Sequence, residues 1–98
     1  MRGFLKKKQT TKAERVFAEE LKNARVPFQA KVKINGREVD FLIDRYCIEI
    51  NGHPQKMDKN KMLLESGFIP VNITNKEALT EREKIKQIIC LIKTELHD

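Results

Sequence analysis

The sequence has no tryptophan, one tyrosine, two cysteines and three prolines among its 98 residues. Two cysteines, Cys47 and Cys90, could form one disulfide at most, so a disulfide-stapled secreted scaffold is excluded. Two cysteines and two histidines, far apart in the chain, also exclude a zinc cluster. No apolar run approaches the ~20 residues that a membrane-crossing helix needs. The start, Met1-Arg2-Gly3-Phe4-Leu5-Lys6-Lys7-Lys8, lacks the apolar stretch of a secretory signal. The expected setting is therefore cytoplasmic. No repeat, linker or low-complexity segment interrupts the chain, and its length fits one domain over residues 1–98 with one modest core.

Charge, by contrast, is abundant. Charged residues make up 35% of the chain, and 20 Lys and Arg against 14 Asp and Glu leave a net charge of +6. Such an excess favours polyanionic partners, chiefly nucleic acid. Residues 1–12 carry Arg2, Lys6, Lys7, Lys8 and Lys12 and no acid. This stretch, residues 1–10 above all, reads either as a basic arm for phosphates or as a frayed terminus.

The local pattern predicts seven elements. Thr11-Lys12-Ala13-Glu14 has capping-box spacing and starts a helix near residue 12, with Val16, Phe17, Leu21 and Ala24 at helical intervals. Val26-Pro27 is expected to end it. Residues 29–34 alternate apolar and polar, Asn35-Gly36 is a strong hairpin signal, and residues 37–43 alternate again. That alternation puts Val39, Phe41 and Ile43 on one face and Glu38 and Asp40 on the other. In residues 46–51, Ile48 and Ile50 share one face, and Cys47, Glu49 and Asn51 the other. A second helix is predicted over residues 56–66 with Gly67 as its stop, then a short strand over 69–73. Thr80-Glu81-Arg82-Glu83 repeats the capping-box spacing and is expected to open a last helix, whose buried stripe is Ile85, Ile88, Ile89, Ile92 and Leu96. The order is α-β-β-β-α-β-α.

Strand register brings out the chemistry. A two-residue turn at Asn35-Gly36 sets Lys33 opposite Glu38 and Lys31 opposite Asp40. A turn at Asp44-Arg45 sets Asp40 opposite Glu49 and Val39 opposite Ile50. Lys31, Asp40 and Glu49 then form a row across three strands, with Asn51 one step along. Two carboxylates facing each other repel and need a compensating charge. Lys31 can supply it, which makes the row a charge ladder. A divalent cation can supply it instead, since Mg²⁺ is held by one or two carboxylates plus water and substrate phosphate.

Asp40 followed by Glu49-Ile50-Asn51 resembles the signature of the PD-(D/E)XK nucleases, a superfamily with an αβββαβ core. Within it, Thr11-Lys12-Ala13-Glu14, Phe28-Gln29, Val39-Asp40-Phe41, Ile48-Glu49-Ile50-Asn51-Gly52 and the later Leu63…Gly67 are similar to the very-short-patch-repair (Vsr)-like endonuclease branch. The likeness spans about residues 11–75. It implies an α/β (α+β) fold of the restriction-endonuclease type: a mixed four-stranded sheet flanked by helices, followed by a C-terminal helix. It implies Asp40 as central metal ligand, Glu49 as second carboxylate, and Glu14 as a helix-borne acid completing the site. Glu14 also suits a plain capping role, and one side chain cannot fully serve both. The third motif position, usually Lys and in this branch often Asp, is Asn51, which can ligate through its carbonyl but carries no charge. Lys31 is the first candidate for the displaced lysine and Lys56 the second. Relatives carry a histidine shortly after the glycine. Gln55 stands nearest that place here, and His53, two residues earlier, could polarise water or phosphate, or simply be solvated.

The reading that follows is an endonuclease hydrolysing DNA phosphodiesters with Mg²⁺ or Mn²⁺. Lys6, Lys7, Lys8, Gln55, Lys56, Lys59 and Lys61 are its expected nucleic-acid contacts. So small a chain has little surface for reading a long sequence, so a homodimer or a partner protein could supply specificity. The alternatives are a non-catalytic nucleic-acid-binding module on the same fold, favoured by the missing lysine after Glu49, and a basic domain whose charge row is only structural.

Overall fold

A computed structural model describes residues 10–51 and 57–96. Lys6, Lys7, Lys8, His53, Gln55 and Lys56 lie outside the described residues, as does the side chain of Asn51. The elements run α1 (Lys12–Asn23), β1 (Gln29–Ile34), β2 (Arg37–Ile43), β3 (Tyr46–Asn51), α2 (Met57–Glu65), β4 (Ile69–Thr74), α3 (Asn75–Thr80) and α4 (Arg82–Leu96). The sheet is mixed, in the order β1-β2-β3-β4, with β1, β2 and β3 antiparallel and β4 parallel to β3. This is the α+β arrangement expected, with one extra helix. No described helix is long and apolar enough to cross a membrane.

Local chemistry sets the helix ends. Thr11 and Glu14 close a complete capping box on α1. Its end is a Schellman turn: the Val26 amide donates to the Leu21 carbonyl and the Arg25 amide to that of Lys22, with Arg25 in the left-handed region at φ 59°. The stop therefore lies at Arg25, ahead of the expected Val26-Pro27, and Val26 folds back into the core. The end of α2 repeats the turn with glycine: Phe68 donates to Leu63, Gly67 to Leu64, and Gly67 has φ 90°.

The C-terminal region departs from expectation. Thr80 caps nothing: it is the last residue of α3, and its hydroxyl donates back to the Lys76 carbonyl at 2.7 Å. The working capping box is Thr74 with Glu77, which opens α3 directly off β4. Glu81, at φ −116° and ψ 63°, then separates α3 from α4. Lys84 of α4 reaches Glu77 at 2.6 Å and joins the two helices.

Apolar residues cover both faces of the sheet. On one, Phe17 and Leu21 of α1, Ala78 of α3, and Ile85, Ile89 and Ile92 of α4 pack on Phe41, Ile43, Ile48, Ile50 and Ile73. Phe28 meets Phe41 edge-on, with ring centroids 5.5 Å apart. On the other, Leu63 of α2 packs with Ile34, Val39 and Cys47. Val39 and Phe41 were expected on one face and instead belong to different clusters. Hairpin ribbons twist strongly, and here the β1–β2 tip turns its apolar side toward α2. The change of face falls at Asp40.

Candidate functional site

The Asp40 position is where the sheet opens. The β2–β3 ladder pairs Ile43 with Tyr46, Leu42 with Cys47 and Phe41 with Ile48, and ends there. The expected pairing of Asp40 with Glu49 does not form. The Asp40 side chain takes the place of a ladder carbonyl instead: its Oδ2 accepts the Ile50 amide at 2.8 Å. On the β1 side, Ala30–Phe41 and Val32–Val39 pair on either flank of Lys31 and Asp40. Lys31 itself has φ 55°. A lysine in the left-handed region inside a strand is strained, and such strain gathers at functional sites.

Two lysine–carboxylate groups sit around this opening. In the first, the Lys31 ammonium donates to Glu14 Oε1 at 3.1 Å and to Asp40 Oδ1 at 3.5 Å. Glu14 is 6% exposed, and the same Oε1 accepts the Thr11 amide at 3.2 Å. One oxygen thus serves both the helix cap and the lysine. In the second, the Lys59 ammonium donates to Glu49 Oε2 at 2.8 Å and to the Glu38 carbonyl. Their side chains are only 16% and 12% exposed. Next to Glu49 on β4, Asn72 donates to Asn60 of α2 at 3.3 Å.

The electrostatics match. Burial is the main cause lifting Asp40 above the ordinary aspartate value, and the nearby Glu14 charge adds to it, against the Ile50 hydrogen bond and Lys31. Burial also lifts Glu49, and Asp40 adds to it, against Lys59. Burial works against the Lys31 ammonium, but Glu14 and Asp40 outweigh it and raise its pKa. Carboxylates kept close together in a half-buried place, with raised pKa, mark a candidate functional site. Cys47 is different: burial, with Glu49 beside it, pushes its thiol up to about 11, so it is inert packing.

Of the residues singled out from sequence, Asp40, Glu14 and Lys31 come together, and Asp40 stands close enough to raise the pKa of Glu49. Asn51 ends β3, paired with Thr74. Lys61 is exposed on α2. Lys59, expected at phosphates, is held by Glu49 instead. The signal for this was helical phase: Lys59 stands one turn before Leu63, the buried residue of α2. Among the described residues, no group of three or more His, Cys, Asp or Glu is arranged to hold a metal ion. The carboxylates named for that role divide between the two lysines.

The donor chemistry still suits a hard divalent ion. Asp40 and Glu49 are two carboxylates of raised pKa at one opening, and Mg²⁺ takes one or two carboxylates and completes its shell with water. No known family model matches the sequence, and no curated protein sequence does either. Among solved structures the chain is similar to the catalytic domain of the homing endonuclease I-Bth0305I, with a TM-score of 0.72 and 24% identity, over 87% of this chain and 96% of that one. At that identity the likeness carries the fold: this chain shares its architecture with that domain.

Proposed function

We propose that this chain is a metal-dependent endonuclease that hydrolyses phosphodiester bonds in DNA, related to the PD-(D/E)XK and Vsr-like enzymes. The observation that carries this reading is the placing of Asp40 and Glu49, half-buried and raised in pKa, where the β2–β3 ladder opens. Asp40 and Glu49 are the residues to hold Mg²⁺ or Mn²⁺, with Asn51 and His53 nearby in sequence. When bound, the ion supplies positive charge to the phosphate and makes its bound water more acidic. The chain's own residues do the rest. The Ile50 amide fixes the Asp40 carboxylate. Lys59 orients Glu49 and opposes the burial that raises its pKa. Basic side chains, Lys61 among them, neutralise the DNA backbone. With few phosphate contacts available, a second copy or a partner protein supplies added grip and specificity.

A second reading has an observation of its own. Every carboxylate of the site already has an ammonium partner, as suits a nucleic-acid-binding module that no longer cuts. Supercoiled-plasmid nicking separates the two. Wild type should nick in Mg²⁺ or Mn²⁺ and not in EDTA. Asp40→Asn, which keeps an acceptor for the Ile50 amide, should lose nicking by at least ~100-fold while its circular dichroism and DNA binding persist. Wild type that binds DNA and never nicks would establish the binding module.

A further inference from the structure

Glu14 is the acid that the sequence motif assigns to the metal, yet its neighbour is an ammonium. Lys31 Nζ lies 3.1 Å from Glu14 and 3.5 Å from Asp40, and the Glu14 oxygen involved also accepts the Thr11 amide. Lys31 reaches this place from a left-handed backbone, φ 55°, that lysine seldom adopts. An internal cation thus sits between Glu14 and Asp40, while Glu49 has a lysine of its own. Lys59, on Glu49 and the Glu38 carbonyl, stands apart from that pair.

We infer that Lys31 is a built-in cation that fills the Glu14–Asp40 half of the site and so limits the protein to one divalent ion, held on the Asp40–Glu49 side. This rests on the metal-dependent reading above. The Lys31 ammonium stands where an ion bridging Glu14 and Asp40 would sit, whereas Lys59 touches Glu49 and not Asp40. The Lys31 ammonium also cuts the charge of the Glu14–Asp40 pair from −2 to −1, which weakens its draw on a second divalent ion. Without the ammonium, Glu14 and Asp40 repel unscreened in a half-buried place, and a second hard cation is the natural counter-charge. Lys31 is thus a positioning residue: it touches carboxylates and sets what they bind.

Calorimetric titration of the full chain with MnCl₂ tests this. Lys31→Gly removes the ammonium and suits the left-handed backbone, and Lys31→Asn serves as a second uncharged residue that tolerates that conformation. Wild type and Lys31→Arg should bind one Mn²⁺ per chain. Lys31→Gly and Lys31→Asn should bind two, and Mn²⁺ should raise their melting temperatures more than it raises the wild-type value. One Mn²⁺ in wild type and still one in both uncharged variants would overturn the role of Lys31 and leave the metal-dependent reading intact. Two in wild type would overturn it too. None in wild type would remove the metal-dependent reading itself, and the inference with it.

Discussion

Asp40 does two things that pull against each other. Its Oδ2 replaces a missing ladder carbonyl for Ile50, which stabilises the sheet, while its charge sits half-buried beside Glu14. Burial and that neighbour raise its pKa, so the folded protein holds the proton to higher pH than the unfolded chain does. In that range the native state binds more protons, and stability falls as pH rises. Asp40→Asn keeps the hydrogen bond and removes the charge. In EDTA it should melt a few degrees above wild type at pH 7. The gap should close as pH falls through the carboxylate range and wild-type Asp40 takes up its proton. Melting curves of both proteins across that range check the sign. A gap that widens toward low pH would mean that Asp40 is stabilised as the anion, contrary to its surroundings.

At the scale of elements, α3 is the instructive case. The chain carries Thr-x-x-Glu at Thr74 and Glu77, with hydroxyl and carboxylate both engaged, and a similar-looking run at Thr80 that caps nothing. Spacing alone cannot rank them, because a cap works only where the backbone is extended. Thr74 is extended at φ −79° and ψ 159° and ends β4, whereas Thr80 is helical. Removing the cap with Thr74→Ala should cost ~1 kcal/mol, or a fall of about 4–8 °C in melting temperature for a domain of this size. Thr80→Ala should change it by far less, and urea or thermal unfolding of the two variants compares them directly. The first three strands were legible to the residue because Asn35-Gly36 and the alternation around it act locally, whereas β4 runs one residue past the expected 69–73. The change of face at Asp40 was not: alternation assumes regular strands, and here the β2–β3 ladder ends beside Asp40 while Lys31 on β1 turns left-handed. For the same reason Asp40 and Glu49 were legible as residues, but their separation onto two lysines was not. That separation depends on which way α2 turns Lys59.

At the scale of the whole molecule, the +6 charge sets how the protein meets a polyanion. Affinity for duplex DNA should fall steeply with salt, because each phosphate neutralised releases counterions and adds about 0.9 to the negative slope of log K against log salt. The lysines do not contribute equally. Lys61 is exposed on α2 and has its charge to give to a phosphate, so Lys61→Ala should reduce the slope by about one. Lys59 is spent inside, on Glu49 at 2.8 Å and on the Glu38 carbonyl. Lys59→Ala should leave the slope nearly unchanged. It should cost stability instead, on the order of 1–3 kcal/mol, because a half-buried carboxylate and a carbonyl lose their donor. Fluorescence anisotropy of a labelled duplex between 50 and 200 mM salt, beside urea unfolding, puts both variants on the same two axes. If Lys59→Ala flattened the salt dependence as Lys61→Ala does and left stability untouched, Lys59 would belong to the DNA-facing surface and the Glu49 ion pair would not hold in solution. If it moves only the stability axis, Lys59 is part of what holds the site's second carboxylate in place.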